Sequence, residues 1–421
     1  MKILWIVNVL LNDMHEYLYN QKESNGVWMD ALLSDFKAKG EHQLLIATTL
    51  PIKKTVRYEK DGVTYYALPD TYPLLYNENK KSNVRAWQEL LDTEKPDLIH
   101  VFGTEFSHGL CALRCNKNIP VILHMQGILQ SIARFYQTGL TNREFGTRTL
   151  RDWLKRDSMR LQQKRYAKKA LKEKEVIRLS KNVISENEWC DAYVKAVDSR
   201  TKIFHRAESM NSVFFETPWL YNEKQKYTIA CNASGYPIKG LHVLLKAVAL
   251  LKVKYPQIRL HIPGESMAET SSFKARLRRN GYTKHIQKMI RDLGLQEQIV
   301  WIGRKTQKEL AEHNRRMHVF VMPSVIENHS NSLKEAMMQG IPCVASAVGG
   351  VTSYAKHGEN ALLYNAEEFE VLAANVEKLF DNDEYAQQLA SKGRERMLSM
   401  HQGAEIYQQT IDIYCQVLKD Q

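Results

Sequence analysis

Cysteine is thin in this chain, with six among 421 residues: Cys111, Cys115, Cys190, Cys231, Cys343 and Cys415. No CxxC pair occurs, and the CxxxC spacing of Cys111 and Cys115 has no histidine cluster beside it. A disulfide-stapled fold and a zinc ribbon are therefore both disfavoured, and a reduced compartment fits the usage. Long apolar runs are also missing, since nothing approaches the ~18–20 residues that a membrane-spanning helix needs. The opening MKILWIVNVLLND carries one lysine but no small-residue cleavage site after it, so it reads as a buried first strand rather than a secretory signal. No GxGxxG follows that strand and no GxxxxGK[ST] occurs anywhere, which removes the common nicotinamide and P-loop readings. Repeats, low-complexity tracts and DNA-reading motifs are absent as well.

What remains is ordinary globular material: 44% hydrophobic and 25% charged residues, in a length that suits two or three domains. The net charge of +12 is concentrated. Between Arg143 and Lys181 stand fourteen Lys or Arg against five Asp or Glu. Such a segment is either a solvated helix face or a docking surface for an anionic partner. It lacks the aromatic interleaving of a base-stacking surface, so nucleic acid is not expected.

Short β-branched runs alternate with amphipathic ones. KILWIVNVL, QLLIATT, VTYYALP, LIHVFGT, PVILHMQG and NVISEN read as strands in the first half; YTIACNAS, RLHIPG, IVWIGRK, HVFVMPS, PCVASA and ALLYN do so in the second. KGLHVLLKAVALLKVKYP places Leu241, Leu244, Leu245, Val248 and Leu251 on one helical stripe. Continuous apolar strands between helices predict parallel sheets covered on both faces, and the pattern runs twice. We expect an α/β protein of two doubly wound domains, over residues 1–215 and 222–400, with a terminal helix, 401–421, crossing back onto the first. The junction, SMNSVFFETPWLYNEKQK, carries two Phe and a Trp, which predicts a packed connection.

The chemistry concentrates in SVIENHSNSLKEAMMQG, residues 324–340. HVFVMPS predicts a buried strand and SLKEAMMQ a short helix stopped by Gly340 and Pro342. The intervening loop then lies at the carboxyl end of a parallel strand, where open α/β sheets bind ligands. The helix start at Asn331, Ser332 and Leu333 offers unpaired N–H groups suited to a phosphate, but Ser332 to Glu335 also has the spacing of a capping box. Neither reading accounts for Glu327 or for the glycine turn Ala347-Val348-Gly349-Gly350. In Ser234-Gly235-Tyr236-Pro237-Ile238-Lys239-Gly240, Lys239 falls between a strand and a helix, positioned as a point charge for a diphosphate.

These motifs, namely Glu327 and Glu335 eight positions apart in ENHSNSLKE, then AMMQGIPCVASAVGG, HGENALLY, PIKGLHVLLKA, PDLIHVFG and PVILHMQG, resemble the retaining glycosyltransferases of family 4. The resemblance is specific over roughly residues 225 to 370 and implies a GT-B fold, with two facing Rossmann-like domains. It implies that Glu335 holds the donor ribose, that Glu327 faces the sugar ring, and that Asn331, Ser332, Leu333 and Lys239 receive the diphosphate. His124 matches the first-domain histidine that approaches the transferred sugar, and Asn25-Gly26 matches a small turn near the phosphate. The implied function is sugar transfer from a nucleotide-diphosphate sugar to a saccharide or lipid-linked acceptor, with no metal and no cofactor. The resemblance and the charge together suggest surface polysaccharide or lipopolysaccharide assembly in the cytoplasm, and the basic residues 143–181 suggest peripheral docking at an anionic inner membrane face. Three departures from the family bear on donor geometry: no Arg occurs from Tyr227 to Ile238, Asn25 stands in place of a glycine after the insert NDMHEYLYNQKES, and RAESMNSVFF replaces the usual junction turn. Arg304, Lys305 or a first-domain cation is a substitute by type. A non-catalytic nucleotide-sugar-binding protein and a nucleotide-sugar epimerase stay open beside the transferase.

Overall fold

The apolar runs become two sheets. A computed structural model describes residues 1–20, 27–70, 79–233, 235–264, 279–401 and 403–420. Its first sheet has eight strands: β1 (Lys2–Ile6), β2 (Gln43–Leu50), β3 (Val56–Lys60), β4 (Val63–Pro69), β5 (Leu98–Phe102), β6 (Val121–His124), β7 (Asn182–Ser185) and β8 (Lys202–His205). They lie in the order β3-β4-β2-β1-β5-β6-β7-β8, all parallel except the β3–β4 pair. The second sheet has β9 (Gln225–Cys231), β10 (Arg259–Ile262), β11 (Ile299–Trp301), β12 (Met317–Met322), β13 (Cys343–Ser346) and β14 (Leu362–Tyr364). Its order is β11-β10-β9-β12-β13-β14, parallel throughout.

Burial follows from the strand period of two. On β1, Leu4 and Ile6 enter one apolar cluster while Ile3 and Trp5 enter another on the opposite face. Both faces are covered, which is why the run reads as continuously apolar. All twelve expected strands overlap observed ones. The two unforeseen strands are β3, whose VRYEK alternates exposure as an antiparallel edge, and β8, a four-residue edge strand. Edge strands bury little, so their composition carries a weak signal.

The described residues divide into two compact units: 1–130, 168–211 and 401–421 form one, and 131–167 with 212–400 form the other. The first includes the terminal helix Gly403–Lys419. Within it, the Tyr414 hydroxyl accepts from Trp5 Nε1 at 3.1 Å and stands 2.6 Å from His100 Nδ1. Burial holds His100 well below the usual histidine range, so its ring is neutral and its Nδ1 shares one hydrogen bond with the Tyr414 hydroxyl.

One expected boundary needs correction. Residues 131–167 do not belong to a continuous first domain. Tyr136, Leu140, Phe145 and Met159 share a core with Leu241, Leu244 and Tyr282 of the second unit. Gly139 N donates to Glu367 Oε1 at 2.8 Å, and His242 Nε2 donates to Thr138 O at 2.9 Å. Gly139 has φ +76°, and a Cβ there would lie 2.7 Å from the His242 ring. The junction loop is packed, as its aromatics predicted: Phe214 is fully buried and Trp219 Nε1 donates to Met317 O at 2.8 Å.

In the first unit, Glu173 is buried and takes three donors: Thr104 Oγ1 at 2.8 Å, Tyr193 Oη at 2.7 Å, and Leu129 N at 3.0 and 3.1 Å to its two oxygens. Burial still outweighs those donors and pushes its carboxyl up to about 7. Glu173→Ala strands all three donors and should cost about 2–4 kcal/mol in urea unfolding. A raised folded value means that protonation favours folding: the contribution is complete below about 4.5, the ordinary value, and fades as pH rises through about 7. Glu173→Gln should therefore gain on the native protein across that interval. A flat difference would contradict this.

Candidate functional site

In the second sheet the chain order reverses between β9 and β12, so the loops after these two strands diverge and leave a crevice between them. Lys239 ends the first loop in the turn Pro237–Lys239, and Glu327 lies in the second. The structure joins them: Lys239 Nζ stands 2.6 Å from Glu327 Oε1, which also accepts from Ser324 Oγ at 2.8 Å. The backbones meet as well, through Val325 N to Ile238 O at 2.9 Å. Gly240 permits that approach. It has φ +67°, and a Cβ on it would fall 1.8 Å from Pro323 O. The expected glycine turn forms a short helix, Gly349–Ser353, whose Gly350 N donates to Glu327 O at 3.2 Å. Glu327 is thus held through backbone and side chain at once.

Beside it, the helix Asn331–Gln339 begins with Ser330 as its cap. Ser330 Oγ accepts from Leu333 N at 3.4 Å, and Ser330 O accepts from Lys334 N at 3.0 Å. The capping-box reading of Ser332 with Glu335 is corrected, because the cap sits two residues earlier and the third helical residue is Leu333. The Leu333 N–H is engaged, and its side chain is core. Asn331 and Ser332 N–H groups precede the first intrahelical donor, so they carry the positive end of the helix dipole. Asn331 Oδ1 is buried with no partner among the described residues. One turn on, burial alone pushes the Glu335 carboxyl up to about 7. Sequence reasoning passed over Lys334, which is fully buried with Nζ 5.6 Å from the centre of the Tyr354 ring. Nothing in its spacing marked it as an interior lysine.

Arg304 and Lys305 follow β11, the outer strand, with β10 between it and β9. They thus stand two strands from β9, and among the described residues neither is tied to Lys239 or Glu327 by a hydrogen bond.

His124 belongs to the first unit, at the end of β6, and is buried. Arg206 Nη2 lies 3.2 Å from its Nδ1. A guanidinium only donates, so Nδ1 must accept and the ring proton sits on Nε2. Arg206 is itself 3% exposed, and burial pulls its guanidinium below the usual value. His124, Glu186 and Glu208 bring ligand atoms within 4.8 Å of one another, as a cation site would. The Arg206 charge beside His124 disfavours a metal there, and the two carboxylates instead balance the buried guanidinium. Arg206, in the departing RAESMNSVFF, was missed because a lone arginine after a short strand carries no motif. The same unit's switch point, after β1 and β5, joins Asn8 Nδ2 to Glu105 Oε2 at 3.2 Å and to Gln126 Oε1 at 3.1 Å, and no motif announced these either. Asn25 and Gly26 lie outside the described residues.

Two doubly wound units of this kind, with ligand loops at the β9/β12 switch point, define the GT-B class of glycosyltransferase folds. Residues 217–396 match the family described as glycosyl transferases group 1. It is 28% identical over 187 residues to an MMP alpha-(1->4)-mannosyltransferase of Mycolicibacterium hassiacum, covering 44% of this chain and 42% of that protein. It is 33% identical over 147 residues to a D-inositol 3-phosphate glycosyltransferase of Pseudarthrobacter chlorophenolicus, covering 34% and 32%. The chain thus spans less than half the length of these curated relatives. Similarity in structure runs end to end: sucrose-phosphate synthase from Thermosynechococcus elongatus has a TM-score of 0.75 at 16% identity over 100% of both chains. Anabaena HepE, solved with UDP and glucose, has 0.64 at 15% over 99% of both.

Two outcomes follow for this site. Gly240→Ala should cost at least about 2 kcal/mol in chemical unfolding, since neither its φ nor Pro323 O admits a Cβ. Glu335→Gln should stabilise the ligand-free protein above about pH 7 by on the order of 1 kcal/mol, discounted for partial exposure, and by nothing at about pH 4.5. The sign is that of a raised carboxyl, whose ionisation the fold opposes. Thermal unfolding across that range measures it.

Proposed function

We propose that this protein transfers a sugar from a nucleotide-diphosphate sugar to a saccharide or lipid-linked acceptor, with retention at the anomeric carbon. The observation that carries the proposal is the Lys239–Glu327 pair at the β9/β12 switch point, placed in the chain just before the Asn331–Gln339 helix start. The transition state of such a transfer develops charge on a departing diphosphate and on an oxocarbenium-like ring. The N–H groups of Asn331 and Ser332, with the Lys239 ammonium, meet the first demand with no metal and no cofactor. Glu335 is assigned to the ribose hydroxyls and Glu327 to the sugar ring. When donor phosphate draws Lys239 away, Glu327 loses its ion pair, keeps the Ser324 hydroxyl, and becomes available to the ring.

On the family resemblance, His124 serves the transferred sugar from the first unit. Its Nε2–H then donates a hydrogen bond and does not take a proton, and the acceptor hydroxyl passes its proton to the leaving phosphate in a front-face displacement. HepE, solved with UDP and glucose, supports a donor of that class. Surface polysaccharide or lipopolysaccharide assembly, at a cytoplasmic membrane face reached through the basic residues 143–181, is the setting we assign.

A screen of radiolabelled nucleotide sugars for slow hydrolysis without acceptor tests the class. Donor binding with no release of sugar from any of them would favour a non-catalytic binding protein. Glu327→Gln should lower kcat on the order of 10²-fold while donor KM stays within about threefold. Unchanged turnover would remove Glu327 from the chemistry.

A further inference from the structure

The helix Leu150–Leu154 is built inside out. Its apolar residues Leu150, Trp153 and Leu154, at i, i+3 and i+4, are 59%, 73% and 66% exposed, whereas Asp152 is 1% exposed. Loose packing does not explain this. Thr149 Oγ1 accepts from Asp152 N at 3.2 Å, Thr149 N donates to Asp152 Oδ2 at 3.0 Å, and Thr149 Oγ1 donates to Arg279 O at 2.8 Å. Gly281 packs so closely that a Cβ on it would lie 2.2 Å from Thr147 O. The helix is clamped with its apolar face outward.

The chain segment that carries that face is strongly basic. Residues 143–168 hold nine Lys or Arg against three Asp or Glu. All three acids are engaged: Glu144 in the capping box with Thr141, Asp152 in the one with Thr149, and Asp157 with Arg151 and Arg165. Arg148, Lys155, Arg156 and Arg160, on the same chain segment as the apolar trio, are exposed. No described helix is long and apolar enough to cross a membrane.

We infer that the Leu150–Leu154 helix seats on a membrane surface rich in acidic phospholipid, with Leu150, Trp153 and Leu154 entering the boundary between headgroups and acyl chains. Charge complementarity selects this occupant. A second copy would set two basic faces against each other, and a nucleic acid would leave the leucines without a partner. An acidic bilayer satisfies both features, since Arg148, Lys155 and Arg156 meet headgroup charge while tryptophan and leucine lose water contact. This deepens the membrane setting proposed from charge alone, because it names an inserted element and a hydrophobic share that salt does not screen.

Vesicle flotation of the full chain tests it, using phosphatidylcholine alone and phosphatidylcholine mixed with phosphatidylglycerol. The native chain should float with the mixed vesicles only, and raised salt should weaken but not abolish binding. Trp153→Asp combined with Leu154→Asp should lower partitioning at least about tenfold, with the melting temperature and donor hydrolysis in solution unchanged. Arg148→Ala with Lys155→Ala should weaken binding and steepen nothing on neutral lipid. Unchanged flotation of the Asp variant, or equal binding to neutral vesicles, would overturn the inference. So would a native dimer that the Asp variant dissolves while neither floats. Flotation needs no turnover, so its failure leaves the proposed transfer standing.

Discussion

The 2.6 Å contact between Lys239 Nζ and Glu327 Oε1 is the constraint around which the second unit's ligand face is arranged. A partly exposed ion pair contributes only about 0–1 kcal/mol to stability, so stability does not explain the structure gathered around it. Ser324 fixes the carboxylate, Gly350 fixes the Glu327 carbonyl, and Gly240 gives up a side chain so that the two loops can touch. Such investment in a weak pair fits a contact that is exchanged on binding. In the proposed transfer, an incoming diphosphate competes for the lysine and frees the carboxylate.

The neighbouring groups carry the same strain between isolation and occupancy. Among the described residues, Glu335 has its carboxyl raised by burial with no compensating donor, and Asn331 Oδ1 is buried without a partner. Two polar groups kept in costly surroundings on adjoining turns of one helix are what a prepared binding surface displays. In the first unit, Arg206 is a second such case, since its Nε and Nη1 are buried with no hydrogen-bond partner among the described residues. Glu186 and Glu208 act on that buried cation through their charge, and its Nη2 sets which histidine nitrogen holds the proton.

Much of this was legible in the residues. Buried parallel strands announce themselves because both faces are apolar, and the Glu327 to Glu335 stretch carries a strong resemblance because its loop, helix and stop signals are contiguous. Edge strands β3 and β8 escaped because they bury too little to constrain composition. The assignment of residues 131–167 to the second unit escaped for another reason. It depends on Tyr136, Leu140 and Phe145 meeting Leu241 and Tyr282 a hundred residues away, and periodicity is blind to such partners. Arg206 and the inverted Leu150–Leu154 helix were hidden likewise: the exposed trio has the spacing of a core stripe, and only the fold reveals which way it faces.

The claim on which the account turns is that a nucleoside diphosphate is held by Lys239 and the helix start after Ser330. Isothermal titration of UDP, GDP and ADP into the native chain and into Lys239→Met measures this most directly. The account predicts saturable binding of at least one nucleotide that weakens at least about tenfold in the variant and declines with salt. Equal affinity in both proteins, or no binding of any of the three, would contradict it.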